Sequence, residues 1–169
     1  MIIYTIGHST RSIKEFIELL KINKVQLLID VRSVPYSTYN PQYNKDKLQK
    51  SIERNKMQYV HMSGLGGFRN PLRNSINMAW KNKRFRGYAD YMQTKEFKNN
   101  LSHLIDLAKQ YNVAIMCSEA VPWRCHRSLI ADALTIRKIK VFDIFNKTTN
   151  KQHKLTSFAK VKGKNITYP

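Results

Sequence analysis

The chain has 169 residues, 42% hydrophobic and 24% charged, with six Gly and five Pro. One domain of roughly 100–200 residues fits that length, and the balance excludes disorder and a fibrous repeat. The unusual figure is charge: 30 Lys+Arg against 11 Asp+Glu, formally +19, which points to an anionic partner such as a nucleic acid, an anionic membrane surface or a phosphorylated substrate.

The run Ile2–Ile6 predicts a first strand, stopped by a turn at Gly7-His8-Ser9. Ser12 and Glu15 form a capping box for a helix whose apolar face is Ile13, Phe16, Ile17 and Leu20. Leu27–Val31 is apolar without alternation, as expected of a strand covered on both faces. Pro35 and Pro41 make the next stretch a loop. A short helix over 46–56 with Leu48 and Ile52 inward leads to a strand over 58–62. Gly64, Gly66 and Gly67 predict a flexible loop, and the basic segment up to Gly87 fits no element. Residues 88–109 read as one long helix or two. Val113–Cys117 is the strongest buried-strand signal in the chain. A loop through Pro122, a helix over 126–137 and a strand over 140–144 follow, with no internal repeat or linker.

Alternating strands and helices predict βαβ units and a mostly parallel sheet, hence an α/β single domain over 1–169 with three αβα layers. Ligands of such sheets bind beyond the carboxyl ends of the strands. The polar residues just past those ends are His8 and Ser9, Asp30 and Arg32, His61, and Cys117-Ser118-Glu119. They are expected to converge on one crevice.

The segment from Cys117 to Arg127 holds two thiols, Glu119, His126, Arg124 and Arg127 between a strand and a helix start. A helix start favours an anion through its free N–H groups and dipole, and an ionised thiol becomes a nucleophile there. The expected catalytic residues are Cys125 or Cys117 as nucleophile, with Glu119 or His126 as acid and base. Anion binding is expected of His8, Ser9, Asp30, Arg32, Arg124 and Arg127. A metal site on Cys117, Cys125, His126 and His8 is disfavoured, because structural zinc sites pair cysteines two to four residues apart. No metal and no cofactor is expected. A thiol loop of the phosphatase or sulfurtransferase kind has the right order of strand, Cys, Arg and helix, but Trp123 stands where the phosphatase loop has its Arg. A binding module without chemistry is the remaining reading. It would use Lys81, Lys83, Arg84 and Arg86, interleaved with Trp80, Phe85 and Tyr88, to hold phosphates and stack bases, together with the five Lys and no acid of residues 151–169.

No apolar run reaches the ~18 residues of a membrane span, and the first residues lack the pattern of a secretory signal. A cytoplasmic protein with no membrane partner is expected. Cys117 and Cys125 cannot build a disulfide framework, and both are expected to be reduced thiols.

Tyr4–Ser9, Asp30-Val31-Arg32 with Pro35 and Ser37, Leu65–Gly67, Gly87–Met92 and Met116–Arg127 together resemble the domain of unknown function 488 (DUF488) family. The likeness continues through Ser128–Leu134 and His153–Thr156. The resemblance implies a compact α/β domain in a small cytoplasmic protein of prokaryotic type, and it implies no particular reaction. The expectation carried forward is an enzyme for an anionic, phosphorylated or nucleic-acid-derived substrate; the alternative is a non-catalytic nucleic-acid-binding protein.

Overall fold

A computed structural model describes all 169 residues. Six strands form one sheet: β1 (Ile2–Gly7), β2 (Leu27–Asp30), β3 (Gln58–His61), β4 (Val113–Cys117), β5 (Lys140–Ile144) and β6 (Asn150–Gln152). Their order is β3-β2-β4-β1-β5-β6. The first five are parallel, and β6 adds antiparallel to β5. Five helices cover the sheet: α1 (Ile13–Ile22), α2 (Lys45–Arg54), α3 (Lys83–Tyr91), α4 (Lys95–Gln110) and α5 (Arg127–Thr135). This is the expected three-layer α/β domain.

The pleat sorts the core. Leu27, Ile29, Val113 and Ile115 pack with Leu101, Leu104, Leu129 and Ile130 of α4 and α5. Leu28, Ala114 and Met116 point the other way, against Phe16, Leu20, Leu48 and Ile52 of α1 and α2. Successive side chains of a strand face opposite sides, so two covered faces make an unbroken apolar run such as VAIMC. Every residue of β2 and β4 is buried.

One consequence of this topology places the site. β2 and β4 are neighbours, yet β2 leads into α2 on one face and β4 into α5 on the other. Their outgoing segments diverge and leave a crevice, the switch point where open α/β sheets take ligands.

Several local expectations change. Ser12 caps α1 by accepting from the Glu15 amide at 3.1 Å, but the Glu15 carboxylate does not reach back to complete the box. It pairs with Arg11 at 3.0 Å. Residues 88–109 divide into α3 and α4 because Thr94 starts a new helix, its hydroxyl accepting from the Phe97 amide at 3.2 Å. The basic segment is helical from Lys83 onward, with Asn82 Oδ1 accepting from the Arg84 amide at 2.8 Å. The glycine-rich loop is packed rather than free. Leu65 is wholly buried, and a Cβ on Gly67 would sit 2.6 Å from the His126 ring.

Beyond β5, the last strand expected from the sequence, the chain goes on to β6 and to a small hairpin of β7 (Lys160–Lys162) and β8 (Asn165–Thr167). A buried cluster ties this tail to α5. Asp132 accepts from the Tyr168 hydroxyl at 2.8 Å and the Thr156 amide at 3.1 Å, and His153 Nε2 lies 2.7 Å away. No helix is long and apolar enough to cross a membrane.

Candidate functional site

The crevice beyond β2 and β4 holds a cavity of about 340 Å³. Segments distant in sequence build its wall. Arg32 and Ser33 follow β2, Gly67 and Phe68 follow β3, Arg84 and Phe85 begin α3, and Cys117 to Glu119 with Arg124 to His126 connect β4 to α5. Three arginines and one carboxylate, that of Glu119, thus line the cavity.

Arg32 is the most firmly held of the three. Its Nε and Nη2 donate to the two carboxylate oxygens of Asp30 at 2.9 and 2.7 Å, and Nη2 donates also to the Tyr43 carbonyl at 2.8 Å. The Tyr59 hydroxyl donates to Asp30 at 2.6 Å. Nη1 of Arg32 has no partner in the protein. Asp30 is wholly buried and does not line the cavity. It positions Arg32, and that replaces the expected role of touching the anion. Burial, the Asp30 charge and the Asp30 hydrogen bond all push the Tyr59 phenol far above its ordinary pKa, so it remains a donor.

His126 Nε2 lies 2.9 Å from the Val31 carbonyl. A carbonyl only accepts, so Nε2 carries the proton and Nδ1 presents a lone pair. Nδ1 faces Cys125 Sγ at 3.6 Å. Burial, joined by the positive charges of Arg127 and Arg69, lowers the His126 pKa to about 4, so the ring is neutral at pH 7.

The two cysteines correct an expectation. The Cys117 and Cys125 sulfurs meet across the loop, where the sequence suggested two separate thiols; their Cα atoms are 7.5 Å apart, wider than a disulfide usually spans. Both sulfurs belong to residues that line the cavity. Nucleophilic chemistry there requires the pair to be open.

Other expected site residues lie behind the wall. The His8 amide donates to the Cys117 carbonyl and the Ser9 amide to the Ser118 carbonyl, each at 2.9 Å, prolonging the β1–β4 ladder. Both residues buttress the loop and neither lines the cavity. The His8 ring stacks on Tyr43 at 4.2 Å, and burial lowers its pKa to about 4. Gly7 is required here, because a Cβ would collide with the Glu119 carbonyl. Arg127 is buried too. It donates from Nη2 to the carbonyls of Glu119 and Ala120 at 2.9 and 3.2 Å, so it staples the loop from inside instead of clamping a ligand. Burial lowers its pKa to about 10, against the raising effect of Asp143 and Glu119.

The basic segment also divides. Trp80 stacks on Phe85 at 4.9 Å and Tyr88 is wholly buried, so these aromatics serve the core more than a ligand. Arg86 donates to the Trp80 carbonyl at 3.0 Å. Lys81 and Lys83 are exposed, and only Arg84 of the four basic residues reaches the cavity. Tyr36, Phe68 and Asn82 line the cavity and escaped the sequence reading. They sit on loops, where no periodicity marks a side chain as facing a site.

The family model described as domain of unknown function DUF488 matches residues 12–134 of the chain. The chain belongs to the DUF488 family. The span matched by DUF488 runs from the start of α1 almost to the end of α5, so it contains every residue named above as lining the cavity. β1 and the tail after α5 lie outside it. No curated protein and no solved structure matches the chain.

Proposed function

We propose that the protein is an enzyme that binds a phosphate-bearing anion in this cavity and acts on it through Cys125. The observation that carries the reading is the position of Arg32. A rigid guanidinium with a spare Nη1 lines the same cavity as the Cys125–His126 pair. Arg84 and Arg124 add positive charge from the exposed side. Ser118 and Glu119 line the same wall, and neither amide donates to a backbone carbonyl.

Cys125 is the better nucleophile of the two because His126 Nδ1 faces its sulfur. With the cysteine pair reduced, the thiol faces the Nδ1 lone pair, and the neutral ring takes the proton only as the sulfur attacks, while the surrounding arginines favour the charge developing on sulfur. The sulfur bonds to the electrophilic centre of the substrate, and the leaving group takes the proton from His126. Glu119 stands on the same wall, where it can accept a proton from the water that frees the enzyme.

Cysteine labelling tests this. In reduced protein, iodoacetamide should label Cys125 several-fold faster than glutathione at neutral pH, as read by mass spectrometry. Inorganic phosphate should slow that labelling, and Arg124→Ala should remove the protection. Labelling at the glutathione rate, indifferent to phosphate, would end the proposal.

One observation favours a second reading. Arg84 belongs both to the cavity and to the exposed basic run with Lys81 and Lys83, as a nucleic-acid surface would require. Affinity for duplex DNA through that surface should fall with salt, with a log–log slope of roughly −0.9 per phosphate neutralised. A nearly flat salt response would exclude it.

A further inference from the structure

We infer that the anion bound by the cavity is the phosphate of a nucleotide, whose base is read by the aromatic rings Tyr36 and Phe68. This rests on the anion-binding reading above and names its substrate class. A volume of about 340 Å³ is several times what a lone phosphate fills and falls in the range of whole-ligand pockets. Beside the arginines, the wall carries aromatic rings. Tyr36 and Phe68 line it and are 63% and 68% exposed.

Neither ring has an aromatic partner within the protein, in contrast to Phe85, which lies flat on Trp80. The Arg84 guanidinium lies 5.8 Å from the Phe68 ring centroid. The loop that carries Phe68 is nevertheless fixed: its amide donates to Ser33 Oγ at 2.9 Å. An exposed apolar ring on a tethered backbone, beside arginines, suits a flat π-system joined to a phosphate. A sugar phosphate would leave the rings unused. A phosphopeptide would make no systematic use of two flat faces.

Asn82 adds a polar contact. Its Oδ1 is committed to capping α3, which leaves its Nδ2 donors available at the cavity wall. A base edge bearing a carbonyl or ring-nitrogen acceptor would meet them. The nucleotide can be free or can be the phosphorylated end of a single strand, since exposed Lys81 and Lys83 continue the positive surface away from Arg84.

Calorimetric titration of the reduced 169-residue chain distinguishes these outcomes. The probes are inorganic phosphate, ribose 5-phosphate, the nucleoside 5′-monophosphates, a short 5′-phosphorylated single strand and a phosphoserine peptide. A nucleoside monophosphate should bind about tenfold or more tighter than ribose 5-phosphate, the increment expected of one stacked base. Phe68→Ala and Tyr36→Ala should each remove most of that increment, lowering nucleotide affinity far more than ribose 5-phosphate affinity, whereas Phe68→Trp should retain it. A strand that binds more tightly than its terminal nucleotide alone assigns the site to strand ends; equal affinity assigns it to free nucleotides. Equal affinity for nucleotide and ribose 5-phosphate overturns the base-reading inference and leaves the anion site standing. Preference for the phosphopeptide overturns it also. Binding of none of the probes overturns both readings together.

Discussion

Asp30→Ala is expected to cost roughly 3–5 kcal/mol of folding stability, the usual loss when one member of a buried ion pair is removed. Asp30 is wholly buried, and the Arg32 side chain is only 6% exposed. Without the carboxylate, the guanidinium would keep a single bond from Nη2 to the Tyr43 carbonyl, and the Tyr59 hydroxyl would lose its acceptor. Urea denaturation monitored by tryptophan fluorescence would measure the loss. A change below about 1 kcal/mol would mean that Arg32 escapes to water and is not held as described. The double variant Asp30→Leu with Arg32→Met separates stability from binding. It should recover much of the stability, since apolar residues of similar volume often replace a buried pair without loss. Phosphate binding should not recover, because the guanidinium is gone. Recovery of both would remove Arg32 from the anion site.

How much of this could be read beforehand follows from how each residue is held. The sheet strands were readable because burial on both faces demands an unbroken apolar run, and Val113–Cys117 and Leu27–Ile29 are such runs. β6, β7 and β8 were not. Each is three residues long, and β6 and β7 are exposed throughout, so neither apolar content nor period marks them. Their position depends on distant groups such as Asp132, which no local pattern announces.

The site shows the same division. The strand-end rule brings Arg32, Cys117, Ser118 and Glu119 to one cavity, but His8, Ser9, Asp30 and His61 do not line it. It could not separate residues facing the cavity from those supporting it. Asp30 and Arg32 lie two positions apart on one strand end, yet one is the counterion of the other. Arg127 follows His126 directly, yet it points into the loop backbone while His126 lines the cavity. Direction of that kind is set by tertiary packing. Spacing in sequence can suggest which side chains approach a site, but only packing decides which of them a ligand would meet.

Acid should unfold this protein earlier than its basic composition alone suggests. His8 and His126 both have pKa values near 4 in the fold, lowered chiefly by burial, against about 6.5 in an unfolded chain. The unfolded state therefore binds more protons between those limits, and stability must rise with pH across that window. Read downward, stability is full above about pH 6.5, falls as the unfolded chain takes up protons, and stops falling from this cause below about pH 4. Each ring accounts for about 3 kcal/mol on this basis, enough together to rival the whole stability of an ordinary domain. His126→Gln isolates one contribution. Glutamine titrates in neither state, and its amide can still donate to the Val31 carbonyl now served by Nε2. Urea midpoints of the parent chain should drop steeply between pH 6.5 and 4, and those of the variant should drop distinctly less. Parallel profiles would show that His126 ionises freely in the fold. That would also displace it as the neutral imidazole whose Nδ1 lone pair faces the Cys125 sulfur.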